Sequence, residues 1–392
     1  MSFKVLIIGA GVSGLALAQI LRKHSIAFEI FERDDGTRPQ GWSLGLDECL
    51  APLAAMLPDD IEPLHNSSAN YVAGKPDSYA IVHGGTQEVV GLLAPGGGGK
   101  DFLNAERNTL RRILTKHVEV QYSKRLKSFV QDEDGVTVHF VDGTSARGPV
   151  LVGADGAQSA VRSQMLTGFK ADASQYAMIS ANVKLGEEES RVMLEIANTA
   201  ILIGLPDMKS YIMLMKLHDD GTSTWHWAAA KRYENADSAH AWAQAASPEE
   251  LYAEALARTR VSPPYFRAAV EKTGPHGIHT PPIKLMETVL PVDELPDGCV
   301  TLLGDAAHSM VPFRGWGANT ALLDACDLGQ VLIKVAEAGE GLRPALREYE
   351  RIMIPRGREK VLESRAEGQA EKYELDGGRV LQKANGDGHL VA

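Results

Sequence analysis

The 392-residue sequence predicts an α/β fold: a parallel sheet covered by helices, assembled from three separated stretches of chain, with a mostly antiparallel β insertion between them. Three observations carry this expectation. Within residues 4–31 a buried-strand pattern, a glycine-rich turn, a helical repeat and a second strand follow one another, the order of a parallel βαβ unit. Two later runs, Val150–Val152 and Cys299–Leu303, read as further buried strands of the same kind. Between them, from Ile179 to about Arg232, the pattern changes to alternation rich in aromatic residues, as in half-buried antiparallel strands.

Taken in order, Lys4–Ile8 is the first strand, Ser13–His24 a helix with Leu15, Ala18 and Leu21 at helical spacing, and Ala27–Phe31 the second strand. Asp77–Leu93 holds strand-like runs before a loop, APGGGGK (Ala94–Lys100). Glu106–His117 is helical, and Val118–Tyr122 and Leu126–Gln131 are short strands. Gly135–Phe140 and the turn Asp142-Gly143 form a hairpin leading into Val150–Val152. In the insertion, ILIGL, YIMLMKL and STWHWAAAK are antiparallel strands, with Asp219-Asp220-Gly221 turning between the last two. Ser247 caps a helix whose first turn is Pro-Glu-Glu. A helix runs from Gly317 to about Glu337, and the tail from Glu371 is polar.

Composition excludes several classes of function. Fifty-one acidic against forty basic residues give a net charge of −11, which argues against nucleic acid, whose phosphates need clustered Lys and Arg. The densest basic stretch, Arg351–Lys360, is interrupted by Pro355, Gly357 and Glu359. Cys49, Cys299 and Cys326 are widely spaced without a CxxC, so neither a disulfide framework nor a zinc site is expected, and a reducing, cytoplasmic setting is. The apolar N-terminal run is broken by three glycines and is shorter than the roughly 20 residues of a membrane span, so it reads as strand and helix rather than as a targeting segment. No other segment is long and apolar enough to span a membrane, and no metal motif is present.

Three motifs carry chemistry. GAGVSG, from Gly9 to Gly14, is a GxGxxG between strand and helix. Gly9 permits the tight turn, Gly11 lets the backbone approach a pyrophosphate, and Gly14 lets helix and strand pack closely. Ser13 lies in the helix start, whose N–H groups and partial positive charge suit phosphate. Glu32, followed by Arg33, ends the second strand at the distance expected of a carboxylate that binds a ribose hydroxyl. In the second motif, VLVGADGAQSAVR, a strand ends at Asp155-Gly156 before a helix reaching Arg162, which suits ribose or phosphate contact by Asp155. In the third, LLGDAAHSMVPFRGWGANTALLDA, a strand reaches Gly304-Asp305, an acceptor suited to a ribityl chain. Pro312 turns the chain, and Gly315, Gly317, Ala318 and Asn319 begin a helix whose N–H groups would support negative charge on a flat ring.

Together these stretches resemble the three signatures of FAD-dependent, single-component monooxygenases related to para-hydroxybenzoate hydroxylase, in the family's order from residue 9 to about 328. The resemblance implies a Rossmann-like FAD-binding domain (1–75, 101–172 and 284–365), an inserted, mostly antiparallel β-sheet substrate domain (76–100 and 173–283) and a polar tail (366–392). It implies that Arg107 contacts the FAD pyrophosphate or ribityl region. It also implies that NADPH or NADH reduces the flavin and that O2 yields a C4a-hydroperoxide that hydroxylates an aromatic or enolic small molecule. The chain departs from the family at Ser309, often Pro, at Trp316, often smaller or an amide, and at Leu323, often Glu. The thioredoxin-like C-terminal domain of larger members is not expected.

Candidates for a base are His83, Tyr211 and His226, each also compatible with packing. Trp316 either meets the substrate or packs in the core. Trp42 and Ser43, in QGWSL, occupy the region that in relatives approaches flavin edge and substrate. Met213 and Trp225 are further pocket candidates; Trp225 and Trp227, two apart, share one strand face. These residues suggest a sizeable aromatic or polyketide- or alkaloid-like substrate, such as a secondary metabolite. Epoxidation or Baeyer–Villiger insertion would use the same cofactor chemistry. WHWAAA partly resembles the WxWxIP signature of flavin-dependent halogenases but lacks Ile-Pro. A non-enzymatic FAD-binding scaffold would consume no NAD(P)H.

Overall fold

The computed structural model describes residues 3–37, 42–69, 77–93, 102–205 and 207–369. The chain opens with β1 (Lys4–Ile8), α1 (Val12–Lys23) and β2 (Ala27–Phe31). Every residue of α1 from Val12 to Leu21 is buried, while Arg22 and Lys23 complement the negative end of its dipole. There follow β3 (Ser43–Leu46), α2 (Leu50–Met56), β4 (Tyr79–His83), β5 (Val89–Leu93), β6 (Leu103–Glu106), α3 (Arg107–Thr115), β7 (Val120–Gln121), β8 (Leu126–Asp132), β9 (Gly135–Phe140), β10 (Ser145–Gly148) and β11 (Val150–Gly153). Next come α4 (Ala160–Met165), β12 (Asp172–Ala173), β13 (Tyr176–Leu185), α5 (Glu187–Ile196), β14 (Ala200–Leu205), β15 (Met208–Leu217) and β16 (Ser223–Arg232). The described chain ends with α6 (Ala236–Ala245), α7 (Pro248–Arg258), α8 (Pro264–Thr273), β17 (Met286–Glu287), β18 (Val300–Leu302), α9 (Asp305–His308), α10 (Trp316–Ala338) and α11 (Leu342–Gln369).

Two sheets organise these elements. The first is all parallel, in the order β18-β11-β1-β2-β7, and draws its strands from all three predicted stretches. Its chain reverses direction of travel at β1, so β1 and β11 open a crevice at their carboxyl ends, where open α/β sheets bind ligands. The second has the order β13-β16-β15-β14-β4-β5 and is antiparallel except where β14 runs parallel to β4. One face of it packs on α7 and α8 through Trp225, Trp227, Leu251, Ala255 and Phe266. A two-stranded ribbon, β3 with β6, joins the sheets. The Ser43 hydroxyl and the Asn104 amide both donate to the Leu214 carbonyl of β15, at 3.2 and 3.1 Å.

Helices that the pattern alone did not announce are α2, α5, α6, α8, α9 and α11. In α5 three glutamates crowd the first turn, and the Glu189 carboxylate accepts the Gly186 N–H at 2.7 Å. Pro355 and Gly357, which read as interruptions, both lie inside α11. Gly357 is needed there because a Cβ on it would come within 2.5 Å of the His308 ring. The predicted tail also starts too early. Residues 366–369 are the end of α11, where buried Glu367 pairs with Arg314 at 3.3 Å and the Tyr176 hydroxyl donates to the Gly368 carbonyl. The rest of the tail and the Ala94–Lys100 loop lie outside the described residues. No helix among the described residues is long and apolar enough to cross a membrane.

A buried charge network locks α9, α10 and α11 together. His308 Nε2 lies 2.5 Å from Asp324, which also accepts the Gly304 N–H at 3.1 Å and Arg356 at 2.8 Å. Burial opposes charge on both partners, but the attraction prevails: His308 is raised and Asp324 lowered from their ordinary values. The Asp324 contribution is present above the ordinary carboxylate range near pH 4 and is lost as pH falls through its depressed value. The His308 contribution is complete below about pH 6.5 and is lost as pH rises through its elevated value. Asp324→Asn should therefore destabilise the fold by about 3–5 kcal/mol in urea unfolding, with the largest difference from wild type between about pH 4 and 6.5.

Candidate functional site

The crevice begins at the glycine turn. Gly9 adopts φ +112°, and a Cβ on it would sit 2.2 Å from the Ala154 carbonyl oxygen at the end of β11. A Cβ on Gly14 would sit 2.1 Å from the Gly9 oxygen, so both glycines are demanded by close backbone packing. Gly11 differs: a Cβ there would meet no atom within 4 Å. The loop thus presents open backbone at the N-terminus of α1, the arrangement suited to a pyrophosphate. Ser13 is buried in the first turn of α1, and the Glu32 carboxylate holds the loop by accepting the Ala10 N–H at 2.8 Å. Arg33 is exposed just beyond β2. Arg111, which the sequence analysis did not single out, grips the Ala10 carbonyl at 3.1 Å. It lies four residues after Arg107, hence on the same helical face, which was a legible signal.

The second and third motifs close on this loop. Asp155 does not turn outward as a ribose ligand. It accepts the Ser159 hydroxyl at 2.5 Å and the Ala160 and Val161 N–H groups at 2.7 and 3.3 Å, capping α4 and shaping the turn. Arg162, buried, donates to the carbonyls of Ala157 and Ala306, both at 2.7 Å, and so ties the second motif to the third. Gly304 takes φ +61°, with Ala321 and the Ser13 hydroxyl 2.9 and 3.1 Å from where a Cβ would lie. Asp305 follows it, open to solvent on one side and enclosed by protein on the others. That enclosure raises its carboxyl above the ordinary range, offset in part by the positive charges of His308, Arg107 and Arg162. Arg107 is set by its neighbour: the Glu106 carboxylate caps α3 by accepting the Asn108 and Thr109 N–H groups at 3.0 and 2.7 Å.

Pro312 starts a tight turn that ends at Gly315 with φ +68°, from which α10 begins. The first four N–H groups of α10, including those of Gly317 and Ala318, have no partner within the helix. A Cβ on Gly315 would meet nothing within 4 Å, and one on Gly317 only Met310 at 3.8 Å, so a flat ligand can lie against this backbone. The Asn319 side chain turns away from this backbone, towards β3. Its oxygen accepts the Asp47 N–H and its nitrogen donates to the Gly45 carbonyl, both at 2.9 Å, clamping the chain at β3 to α10. Trp316 is half-buried between two cations, Lys360 at 4.0 Å and Arg314 at 4.8 Å from its ring centre, rather than enclosed in an apolar core.

The strand register sorts the remaining candidates. Trp225 is fully buried in the core against α7 and α8, and its indole N–H donates to Ser223 at 2.6 Å, so it is removed from the substrate set. His83 is also removed: it is exposed at the β4–β5 turn and accepts the Thr86 N–H at 3.0 Å. Ser43 is buried and committed to Leu214. His226, between the two tryptophans, points to the opposite face of the sheet, with Tyr211 and Met213 beside it on β15. Three rings surround its imidazole: Trp42 and Tyr211 at 5.8 Å and His279 at 5.6 Å. His279, from the loop after α8, had no sequence signal. The Trp42 ring also lies 5.6 Å from the Arg107 guanidinium. Trp42 therefore links this face to Arg107, whose charge acts on Asp305. Gln40 and Gly41 lie outside the described residues.

Two substitutions test the cofactor assignment. Gly11→Val should abolish FAD retention in a folded protein by filling the open space over the loop. Asp305→Ala should weaken FAD binding about 10- to 100-fold, the equivalent of one charged hydrogen bond. Both are read by flavin absorbance after desalting, with circular dichroism reporting the fold.

Known proteins match this geometry along almost the whole chain. An FAD binding domain family model matches residues 67–364, and an NAD(P)-binding Rossmann-like domain model matches residues 7–42. An FAD-dependent monooxygenase of Trichoderma harzianum is 32% identical over 395 residues, covering 97% of this chain and 94% of the relative. The structure of an FAD-containing monooxygenase from Photorhabdus luminescens is 28% identical with a TM-score of 0.76, covering 94% of this chain and 98% of that one. The 2,6-dihydroxypyridine-3-hydroxylase of Arthrobacter nicotinovorans shares the fold, with a TM-score of 0.78 at 18% identity over the full length of both chains. The glycine loop, the cleft behind it and these likenesses agree, and the chain belongs to the FAD-dependent monooxygenases of the para-hydroxybenzoate hydroxylase type.

Proposed function

We propose that this enzyme uses NADPH or NADH and O2 to hydroxylate an aromatic or enolic small molecule. The supporting observation is the juxtaposition of two unlike surfaces. An aromatic-lined face of the six-stranded sheet, with Trp42, Tyr211, Met213 and His226, stands next to the dinucleotide cleft, with Trp42 bridging to Arg107. In this proposal residues 1–75, 101–172 and 284–369 hold FAD, and residues 76–100 and 173–283 supply the substrate face. The hydroxylase from Arthrobacter, whose name specifies a dihydroxylated ring, shares this architecture and favours a hydroxylated aromatic substrate.

FAD, when bound, would supply hydride acceptance and oxygen activation. The chain's own contribution is placement and shielding. The Gly11 backbone and the N-terminus of α1 hold the pyrophosphate, Glu32 meets the ribose, and Arg107 and Asp305 meet the ribityl side. The N-terminus of α10 at Gly317 and Ala318 stabilises negative charge on the ring system. Trp42, Tyr211 and Met213 exclude water from the substrate and hold its ring flat.

The purified protein should be yellow, with about one FAD per chain. Anaerobic reduction by NADPH or NADH should accelerate at least about tenfold with one member of a panel of phenols and polyketides, since substrate positioning governs such steps. Readmitted oxygen should convert that compound to a product heavier by one oxygen, measured by mass spectrometry. Oxygen-dependent NAD(P)H consumption that no compound stimulates would count against the proposal.

A further inference from the structure

We propose that His226 recognises a hydroxyl group on the substrate, accepting its hydrogen bond at Nε2, and that Asn182 is the residue that positions it; this rests on the aromatic-substrate assignment above. Asn182 and His226 are directly opposite one another in the β13–β16 pairing. The histidine Nδ1–H donates to Asn182 Oδ1 at 2.8 Å. That bond sets the tautomer: with the proton on Nδ1, the other nitrogen carries a lone pair and is an acceptor.

His226 is fully buried, and its Nε2 has no hydrogen-bond partner among the described residues. A buried acceptor left unmatched costs about 1–3 kcal/mol, a cost that Phe or Leu at the same position would avoid. Such an exception calls for a partner that the fold itself does not supply. Burial, reinforced by neighbouring His279, pushes the imidazole down to about 3, so it stays neutral. A neutral acceptor distinguishes a protonated hydroxyl from a methyl ether or a bare C–H. A hydrogen bond from a phenol to this nitrogen also leaves more electron density on the ring, which favours attack by an electrophilic oxygen.

The surroundings fit a planar ligand. The rings of Trp42, Tyr211 and His279, all three half-buried, surround the imidazole at centroid distances of 5.6–5.8 Å. Asn182, which holds the Nδ1 side of the ring, is itself exposed on the same sheet face. The substrate class that follows is a flat aromatic or enolic molecule bearing a free hydroxyl.

The test is equilibrium binding of a matched pair, 1-naphthol and 1-methoxynaphthalene, to the FAD-loaded protein. It is followed by flavin absorbance changes and by calorimetry, with flavin content and circular dichroism confirming that each variant is folded. Wild type should bind 1-naphthol about tenfold more tightly than the ether, the equivalent of one hydrogen bond. His226→Phe should bind both equally, His226→Gln, which keeps an acceptor, should restore part of the preference, and Asn182→Val should reduce it several-fold. Equal binding of the pair by wild type, or an undiminished preference in His226→Phe, would overturn the proposal. If the preference depends on His226 but no hydroxylated compound stimulates oxygen-dependent NAD(P)H consumption, hydroxyl recognition stands and the assigned reaction fails.

Discussion

Where β1 ends, two backbones pass so closely that no side chain fits between them. Gly9 lies against the Ala154 carbonyl, and Gly14 against Gly9. This contact brings the carboxyl ends of β1 and β11 to one point and aims the N-terminus of α1 into the crevice between them. The other parts of the site are fastened to it: Arg111 and Glu32 hold Ala10, and Arg162 carries the connection from the second motif to Ala306 in the third. A Cβ at Gly9 or Gly14 would push these segments apart, and the cleft would lose its shape before it lost any ligand contact.

The β3–β6 ribbon transmits that geometry to the second sheet. Its own polar side chains Ser43 and Asn104 are spent on the Leu214 backbone, and Asn319 of α10 is spent on its Gly45 and the adjoining Asp47. Buried hydrogen bonds of this kind contribute modestly to net stability, but leaving any one unmade is expensive, so they fix relative position. Trp42 immediately precedes β3, which explains how one residue touches both the sheet face and the cofactor cleft.

The electrostatics of the two halves differ. Around α9 and α10 charges of both signs are balanced, with buried His308 and Asp324 joined to half-buried Arg356 and Asp327 in one network beside Asp305. On the sheet face the ionisable groups are kept neutral by burial: His226 and His279 are lowered and Tyr211 is raised. Such a division suits a charged dinucleotide on one side and an uncharged aromatic ring on the other.

The strand–glycine–helix order, the three motifs and the alternation in β16 were legible in the sequence because each depends on local spacing: one turn, one helix start, one strand period. The family and its cofactor followed from those. Which polar side chains face a ligand was not legible, because Asp155, Ser43 and Asn319 use their hydrogen-bonding atoms on partners that only tertiary folding supplies. The two tryptophans of β16 could be seen to share a face, but not which face met the helices. Packing on α7 and α8 decided that, sending Trp225 to the core and His226 to the site. For the same reason Gly357, a helix breaker by propensity, sits within α11, where the His308 ring needs the room.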